Sequence, residues 1–456
     1  MKLFVLASAI PFKRHDQPGV TAVNIVLFEL LRGLLEVGHQ LTFQIIFNEF
    51  RSNPDLTVAE QQEIHGLSNM GVRILPQLGK TDYFVYESTS TPWKKMQRLA
   101  RFLSGQANMR AFYPTIQARY IIEKRVDEVN PDAILSVWSP EGLAATHGLS
   151  RRPRIAYQGD VDFAPAESRL SDRMLFPATT KQDGHGTAVK TLLHYMRTRY
   201  ELMEFKRAHF TLMSQVDLIT NVTASNAEIY RRCSRHQRSI YIRNTWSDPG
   251  IPNMSLGDWN DREKNGRQPI KIIGHVGYLN STGSIYGLKF LLVDLMPYLE
   301  KVMGGLDYQI HIIGGGEITP SLRPYLRHDR IVLRGYVQDL DQELRSCRVL
   351  LLLNNAGTYQ AAYTRHLVAW AMGLCLVVHA NSKRAIPEIN HAENALAGTT
   401  PDEVARMIFL AVSNPELNAR VRKGGRTTYE QYFTPLVVVE TLSKEIEGVV
   451  NGAGAK

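Results

Sequence analysis

The stretch "IKIIGHVGYLNSTGSIYGLKFL" (270–291) has the pattern of a buried strand, a turn and a helix in succession. Its apolar start predicts a strand, and apolar residues with helical spacing continue over 285–302. Residues 277–287 between them are mostly small and polar, so their backbone N–H groups could face a phosphate at the start of the helix. The segment therefore predicts one strand–turn–helix unit of an α/β fold.

Strand and helix patterns alternate along most of the chain. Further strands are predicted at 2–8, 40–47, 71–76, 132–137, 154–159, 217–222, 239–244, 308–317, 330–337, 349–354 and 375–380. Because apolar strands separated by helices form parallel sheets covered on both faces, the predicted fold class is α/β. The interval 246–269 is rich in Pro, Gly, Asn and Asp and is the predicted linker.

We therefore expect two doubly wound, Rossmann-like domains that face each other across a cleft. The first is predicted over 1–245 and the second over 270–429, while a C-terminal helix near 430–450 is a candidate to pack back on the first. The start, "MKLFVLASAIPF", is predicted as a strand rather than a signal peptide, because its apolar part is short and leads into a polar loop and a helix. Ligands of such sheets bind beyond the carboxyl ends of the strands.

The amino-acid composition limits the classes of binding partner that we expect. The chain has 456 residues and a net charge of +9, which favours nucleotide phosphates, anionic lipid or nucleic acid. Nucleic acid is disfavoured because no basic motif with interleaved aromatic residues is present. Three well-separated cysteines suggest neither a disulfide framework nor a zinc site, and no apolar run approaches the roughly 20 residues that span a bilayer. We predict a cytoplasmic protein that binds no nucleic acid.

Three segments of the second half carry candidate binding residues. "IIGGGE" (312–317) follows a strand, and its glycines Gly314 to Gly316 would let a ligand approach the backbone. "YTRH" (363–366) opens a helix, with Arg365 as a permanent cation beside the helix N-terminus. Glu388 follows a strand end and could bond to sugar hydroxyls. A tight turn, a surface charge and a solvated carboxylate are the ordinary alternatives.

Two segments of the first half could face an acceptor. "GDVDF" (159–163) places Asp160 and Asp162 after an apolar strand, where such a pair could hold a metal or bond to an acceptor; we favour the acceptor. "DGHGTAV" (183–189) is similar to the histidine segment of subtilisin-like proteases, but no matching serine or aspartate segment accompanies it. We expect its glycines to form a mobile loop from which His185 could reach the cleft.

The segment "WKKMQRLARFL" (93–103) predicts an amphipathic helix without acidic residues. Trp93, Met96, Leu99, Ala100 and Leu103 fall near one face, and the basic residues fall largely on the other. Such a helix could lie on an anionic membrane surface, or it could pack its apolar face on its own domain.

Taken in order, several of these segments resemble those of GT-B-fold glycosyltransferases, and are most similar to the retaining family 4. The resemblance covers most of the chain and is strongest from about Ile270 to Phe433. The pieces that carry it are "GHVGYLNSTGSIYGLKFL", "IHIIGGGE", "VLRGYVQDLDQELRSC", "TRHLVAWAMGLCLVV" and "IPEINHAENALAG". The resemblance implies a nucleotide-sugar donor held by the second domain and an acceptor held mainly by the first. It also implies no obligatory metal, and a leaving diphosphate that helps to activate the acceptor hydroxyl.

The chain departs from the family pattern at four positions. Gln360 and Val368 stand at the positions of two usual glutamates, and Tyr278 and Tyr286 match the positions of two usual diphosphate-binding cations. Arg365 is therefore the main candidate to hold the diphosphate, with Lys289 a weaker one.

The resemblance and the residues together give a predicted site. The predicted catalytic residues are Arg365, Asp160 and Gln360. The predicted donor-binding residues are Gly19, Gly277, Tyr278, Gly283, Gly314, Gly315, Gly316, Tyr336, Val337, Tyr363, Thr364, Arg365 and Glu388. The predicted acceptor-side residues are Asp160, Asp162 and His185.

The predicted function is a metal-independent glycosyltransferase that uses a nucleotide sugar as its substrate and no cofactor. Cell-surface polysaccharide, lipopolysaccharide or glycolipid assembly is the expected context, with a saccharide or lipid-linked acceptor. The alternative is a non-catalytic binding or partner subunit on the same fold, which the substituted glutamates and cations favour.

Overall fold

The computed structural model describes residues 1–13, 20–47, 55–79, 92–107, 118–149, 152–172, 188–233, 238–249, 269–360 and 364–454. The chain divides into two compact units. The first comprises Met1–Glu167, Thr179–Ile242 and Val438–Lys456, and the second comprises Ser168–Ala178 and Arg243–Val437. Two parallel sheets with flanking helices confirm the predicted α/β class.

The first unit is built on a seven-stranded parallel sheet. In chain order the elements up to the last strand of this sheet are β1 (Lys2–Ala7), α1 (Ala22–Glu36), β2 (Gln40–Ile45), α2 (Val58–Asn69), β3 (Arg73–Ile74), α3 (Pro92–Leu103), α4 (Ala118–Val129), β4 (Ala133–Val137), α5 (Pro140–Ala145), β5 (Arg154–Gln158), α6 (Ala164–Ser171), α7 (Ala188–Met213), β6 (Leu218–Asn221), α8 (Ala224–Cys233) and β7 (Ser239–Tyr241). Of these, only α6 is divided, because Ser168 begins a segment of the second unit. The strand order is β3-β2-β1-β4-β5-β6-β7, so the chain changes direction across the sheet between β1 and β4.

The second unit repeats this winding with six parallel strands. From its first strand to the end of the chain the elements are β8 (Ile270–Val276), α9 (Thr282–Lys289), a π-helix (Phe290–Leu295), α10 (Met296–Met303), β9 (Tyr308–Ile313), a 3-10 helix (Pro320–Arg327), β10 (Ile331–Gly335), α11 (Leu340–Arg345), β11 (Val349–Leu352), α12 (Thr364–Ala371), β12 (Leu376–His379), α13 (Ser382–Ala385), β13 (Leu396–Gly398), α14 (Pro401–Ser413), α15 (Pro415–Tyr432) and α16 (Pro435–Gly454), and most of α16 belongs to the first unit. The strand order is β10-β9-β8-β11-β12-β13, which puts the change of direction between β8 and β11.

The last helix, α16, runs from the second unit into the first. Its Val439 packs against Gly33 of α1 so closely that a Cβ at Gly33 would lie 2.7 Å from Val439 Cγ2. Its Ser443 hydroxyl is hydrogen-bonded to the ring of His39. The small size of Gly33 is therefore what lets the C-terminal helix approach α1.

Apolar side chains fill both faces of the second sheet. One cluster includes Leu291, Leu299 and Ile408, and the cluster on the other side includes Trp370 and Phe433. Because both faces are covered, the strands are apolar along most of their length, as the sequence predicts for parallel strands. Among the residues that the structure describes, no helix is long and apolar enough to cross a membrane.

The helix predicted over 285–302 differs from the observed one in its first residue and in its hydrogen-bonding pattern. The observed helix begins earlier, at Thr282, and widens into the π-helix Phe290–Leu295 before α10. Pro297 stands in the first turn of α10 and has no N–H to donate to the preceding turn. A π-type turn just before that proline accommodates the missing hydrogen bond.

Candidate functional site

The change of direction between β8 and β11 creates a crevice at the carboxyl ends of these strands, where doubly wound sheets bind their ligands. Two glycine turns meet there. Gly277, after β8, has φ +112°, and Gly314, after β9, has φ +143°. A Cβ at Gly314 would lie 1.8 Å from the carbonyl oxygen of Gly277, so only glycine fits this contact. The backbone N–H of Leu279 donates to the Gly315 oxygen at 2.9 Å and holds the two turns together.

Arg365 reaches this pair of turns from the first turn of α12. Its guanidinium packs on Gly277, where a Cβ would lie 2.3 Å from one terminal nitrogen and 2.8 Å from the central carbon. Gly277 is therefore the residue that makes room for the arginine. The helix begins at Thr364, and residue 363 lies outside the described residues. The arrangement places a permanent positive charge beside the partly exposed Gly277 at the carboxyl end of β8.

His275 is a buried residue of β8 close to the charge of Arg365. It is buried at the end of β8, and burial, followed by the nearby charge of Arg365, holds the pKa of His275 well below its usual value. The imidazole is therefore neutral near pH 7, so it adds no second charge to repel Arg365. No sequence pattern singles out His275, although it stands two positions before Gly277 in the same stretch.

Two exposed tyrosines flank the glycine turns. The ring of Tyr278 lies against Gly316, which has φ +95° and where a Cβ would stand 3.2 Å from two ring carbons. Tyr336 follows β10 and is 63% exposed. Val337, next to it, packs against the core and presents less of its side chain. Such exposed aromatic faces could stack on a planar base, because stacking needs only an accessible ring.

The N-terminus of α9 follows the carboxyl end of β8 after a short turn. Ser281 caps the helix by accepting a hydrogen bond from the Ser284 N–H at 3.3 Å. Gly283 is buried in the first turn. Lys289, the weaker candidate for a diphosphate contact, instead lies 2.7 Å from a carboxylate oxygen of Asp294.

Three of the four positions that depart from the family pattern have structural partners here. The Gln360 side-chain amide donates to the Gly357 oxygen at 3.0 Å, while Val368 packs against the apolar core. Tyr286 is buried against Gly357, and its hydroxyl lies 3.3 Å from both the Ser168 oxygen and Thr358 Oγ1. Burial raises the pKa of Tyr286, so it remains neutral near pH 7. Val368 and Tyr286 thus pack into the structure without adding charge.

Glu388 belongs to a different set of contacts. Its carboxylate accepts a hydrogen bond from Arg243 Nε at 2.6 Å and is only 10% exposed. The pair lines a pocket of about 640 Å³ that also includes Lys423, Gln431 and Tyr432. The Arg243 guanidinium stacks 4.7 Å from the centre of the Tyr432 ring. The backbone oxygen of Glu388 accepts a further hydrogen bond from the Asn394 side-chain amide at 2.8 Å.

Asp160 and Asp162, two of the predicted acceptor-side residues, differ in exposure and in their contacts. Asp160 is exposed after β5, whereas an Asp162 carboxylate oxygen lies 3.1 Å from Nδ1 of the buried His209. The other ring nitrogen of His209 is 2.9 Å from the hydroxyl of buried Tyr230. Burial, followed by the charges of Asp162 and Asp160, raises the pKa of Tyr230 well above its usual value. Asp162 thus helps to hold the loop, and Asp160 is the carboxylate that faces solvent.

A polar group that the sequence analysis missed lies at the change of direction of the first sheet. Ser8 follows β1, and its hydroxyl is 2.7 Å from the Ser139 hydroxyl and 2.6 Å from a Glu141 carboxylate oxygen. Ser139 and Glu141 follow β4. Polar residues directly after two adjacent strands are a signal that could have identified them. Gly19, His185 and Tyr363 lie outside the described residues, as do the side chains of Lys94 and Lys95.

Comparisons with known proteins give a family match in the second half of the chain and fold matches over nearly all of it. Residues 270–414 match the model of a family described as Glycosyl transferases group 1. None of the curated proteins matches the chain.

Solved structures with the same fold cover nearly the whole chain. A glycosyltransferase from Rickettsia africae ESF-5 is 10% identical with a TM-score of 0.58, covering 98% of both chains. Sucrose-phosphate synthase from Thermosynechococcus elongatus is 11% identical with a TM-score of 0.58, covering 99% of this chain and 100% of its own. Anabaena HepE in complex with UDP-glucose is 11% identical with a TM-score of 0.55, covering 98% of this chain and 100% of its own. The chain therefore has the GT-B fold.

Proposed function

We propose that this chain is a glycosyltransferase that moves a sugar from a nucleotide-sugar donor to an acceptor hydroxyl, with retention of configuration. The observation that carries the proposal is the guanidinium of Arg365 seated on Gly277, at the point where the strand order of the second sheet reverses. A departing nucleoside diphosphate develops negative charge at its phosphates. A fixed cation at this position would stabilise that charge in the transition state.

The second unit would bind the nucleotide, with the Gly314–Gly316 turn admitting it and Tyr278 or Tyr336 stacking on the base. HepE, which shares the fold, has been solved with UDP and with UDP-glucose, and this supports a nucleotide-sugar donor. Arg365 would supply the charge that a metal supplies in other transferases, so we propose that no divalent metal is obligatory. Asp160 in the first unit is the carboxylate we propose to face the acceptor, which we place in polysaccharide, lipopolysaccharide or glycolipid assembly.

The proposal is tested by measuring release of nucleoside diphosphate from UDP-, GDP-, CMP- and dTDP-sugars, with release of CMP as the readout for the CMP-sugar, in the presence and absence of EDTA. We expect slow hydrolysis of one donor class without acceptor, and no loss of that rate in EDTA. Loss of turnover in EDTA, restored by a divalent ion, would contradict metal independence alone. No turnover of any donor, together with no binding of any nucleotide, would favour the non-catalytic alternative.

We also propose that α3 and α7 of the first unit dock on an anionic membrane surface. Trp93, Met96, Leu99 and Leu103 of α3 are 49–76% exposed. The helix packs on α7 through another side, where Arg98 pairs with the buried carboxylate of Glu204. The apolar stripe of α3 is therefore not used to attach the helix to its own unit.

The neighbouring helix adds apolar surface. Leu192, Leu193 and Met196 of α7 are 56–60% exposed. On a helix these positions lie on the same side as Tyr200, whose ring is 4.7 Å from Phe102 of α3. Exposed apolar side chains in this number are uncommon on a monomer and mark an interaction site. The absence of acidic residues in α3 and the net charge of +9 favour anionic lipid as the partner.

We expect the triple variant Met96→Ser, Leu99→Ser, Leu103→Ser to bind phosphatidylglycerol-containing vesicles at least roughly tenfold more weakly, since each buried apolar side chain contributes to transfer. Vesicle flotation with and without phosphatidylglycerol, at low and high salt, measures this. The matched control is Leu333→Ser, which removes an exposed leucine of the second unit. Wild-type protein that fails to float, or a triple variant that floats as well as wild type, would contradict the membrane proposal.

A further inference from the structure

A second arginine contacts the loop that connects β8 to α9. We define this loop as residues 277–282, which includes Thr282, the first residue of α9; its sequence is "GYLNST" and contains no acidic residue. Arg365 packs on its first residue, Gly277. At the other end, Arg169 Nε donates to Thr282 Oγ1 at 2.8 Å, and a terminal nitrogen of Arg169 is 3.4 Å from the Asn280 carbonyl oxygen. Two guanidinium groups therefore lie against the two ends of one six-residue loop.

Arg169 comes to this loop from far away in the sequence. It lies in the last turn of α6, in the segment Ser168–Ala178 that belongs to the second unit although the rest of that unit begins at Arg243. The neighbouring Ser168 anchors this turn, because its carbonyl oxygen lies 3.3 Å from the Tyr286 hydroxyl and its own hydroxyl lies 3.4 Å from Thr358 Oγ1. The position of Arg169 is thus fixed by packing on the same elements that present the loop.

We propose that Arg169 is a donor-binding residue that, with Arg365, holds the diphosphate of a nucleoside diphosphate over the loop 277–282. The inference rests on the proposed function. A guanidinium is charged at every physiological pH, and its five N–H donors let it hold Thr282 and contact a phosphate at the same time. Both sides of the loop then carry positive charge, while the N-terminus of α9 adds a weaker potential of the same sign.

This assignment explains how the site works without charge at positions 278 and 286. Tyr286 is buried and neutral, and its hydroxyl contacts the turn that carries Arg169. A lysine or arginine at 286 would have to bury its charge beside Ser168 and Thr358. The chain instead places its second cation on α6, and Tyr286 helps to position that helix.

The test compares affinity for a nucleoside diphosphate with affinity for its nucleoside. Calorimetric titration of wild-type protein with UDP, GDP and dTDP identifies the diphosphate that binds, and the matching nucleoside is then titrated. Arg169→Gln removes the charge but keeps an amide that can bond to Thr282, and Arg169→Lys keeps the charge. Arg327→Ala is the control, because Arg327 is an exposed arginine just before the amino end of β10, at the opposite edge of the sheet.

We expect Arg169→Gln to weaken diphosphate binding about tenfold or more, the usual effect of losing a charged hydrogen bond. Nucleoside affinity should not change, Arg169→Lys should retain part of the affinity, and Arg327→Ala should match wild type. Equal weakening of nucleoside and diphosphate would show that Arg169 only supports the loop, and unchanged diphosphate affinity would remove it from the site; either result overturns the inference. If wild type binds no diphosphate, the proposed function fails first, and the role of Arg169 fails with it.

Discussion

Replacing Arg365 by alanine should lower the turnover of the identified donor by 10² to 10³, about 3 kcal/mol in the transition state, as for loss of one group that stabilises developing charge. The reason is geometric. Arg365 is the guanidinium that packs on Gly277 at the carboxyl end of β8, beside the backbone where the leaving phosphate would sit. Steady-state rates of nucleoside diphosphate release measure the effect.

The Arg365→Lys variant separates charge from shape. Lysine keeps the charge but not the planar fork of a guanidinium, so it should recover part of the rate. The control Arg327→Ala should leave the rate unchanged, because Arg327 precedes the amino end of β10. An Arg365→Ala enzyme with the wild-type rate would remove Arg365 from the catalytic machinery, even if the fold and nucleotide binding remained.

The Gly314→Ala variant should lose about 3 kcal/mol or more of stability and bind nucleotide poorly. Its φ of +143° is a conformation that essentially only glycine adopts, and the added Cβ would lie 1.8 Å from the Gly277 oxygen. A clash with backbone cannot be relieved by rotating a side chain, so the turn itself must move. Thermal unfolding should show a midpoint lowered by roughly 10 °C.

Gly315, in the same run of three glycines, provides the matched control. A Cβ at Gly315 would meet no atom within 4 Å, so Gly315→Ala should unfold within about 2 °C of wild type. Gly316→Ala should fall between the two, because the added Cβ would stand 3.2 Å from the ring of Tyr278 at a φ of +95°. Equal effects of the Gly314 and Gly315 substitutions would show that the contact between the two turns is not what requires glycine.

Features formed by residues close together in the chain could be predicted from the sequence. Strand, turn and helix follow one another along 270–291, so periodicity and small polar residues reveal them. Arg365 could be predicted as a diphosphate ligand because it is a permanent cation at the start of a helix, whose N-terminus also favours an anion. The glycines of 314–316 were predicted as a group, but their separate roles depend on φ angles and on the approach of Gly277.

Contacts between distant residues could not be predicted in this way. Arg169 and Thr282 are 113 residues apart, and Arg243 and Glu388 are 145 apart. Without a structure, Glu388 could be assigned only by its place after a strand, and its ion pair with Arg243 had no sequence signal. Its proposed contact with the donor sugar stays a prediction.

The orientation of α3 shows a different limit. Its amphipathic pattern predicts an apolar stripe, but the pattern does not say which side packs on the protein. The structure places Arg98 against the buried Glu204 and leaves Trp93 and Leu103 exposed. Glu204 lies on α7, and its ion pair with Arg98 turns the apolar stripe of α3 toward solvent. An amphipathic helix usually packs its apolar stripe on the protein, so this arrangement is the reverse of the usual one.

The most direct test of the central claim is the thermal unfolding midpoint of wild type and Arg365→Ala in the presence of UDP, GDP, CMP or dTDP. A ligand that binds only the folded state stabilises it by about 2.7 kcal/mol at one hundred times its dissociation constant. We predict a raised midpoint for wild type with one nucleotide class, and a much smaller rise for Arg365→Ala. No rise with any nucleotide, or the same rise in both proteins, would contradict a nucleotide site built around Arg365.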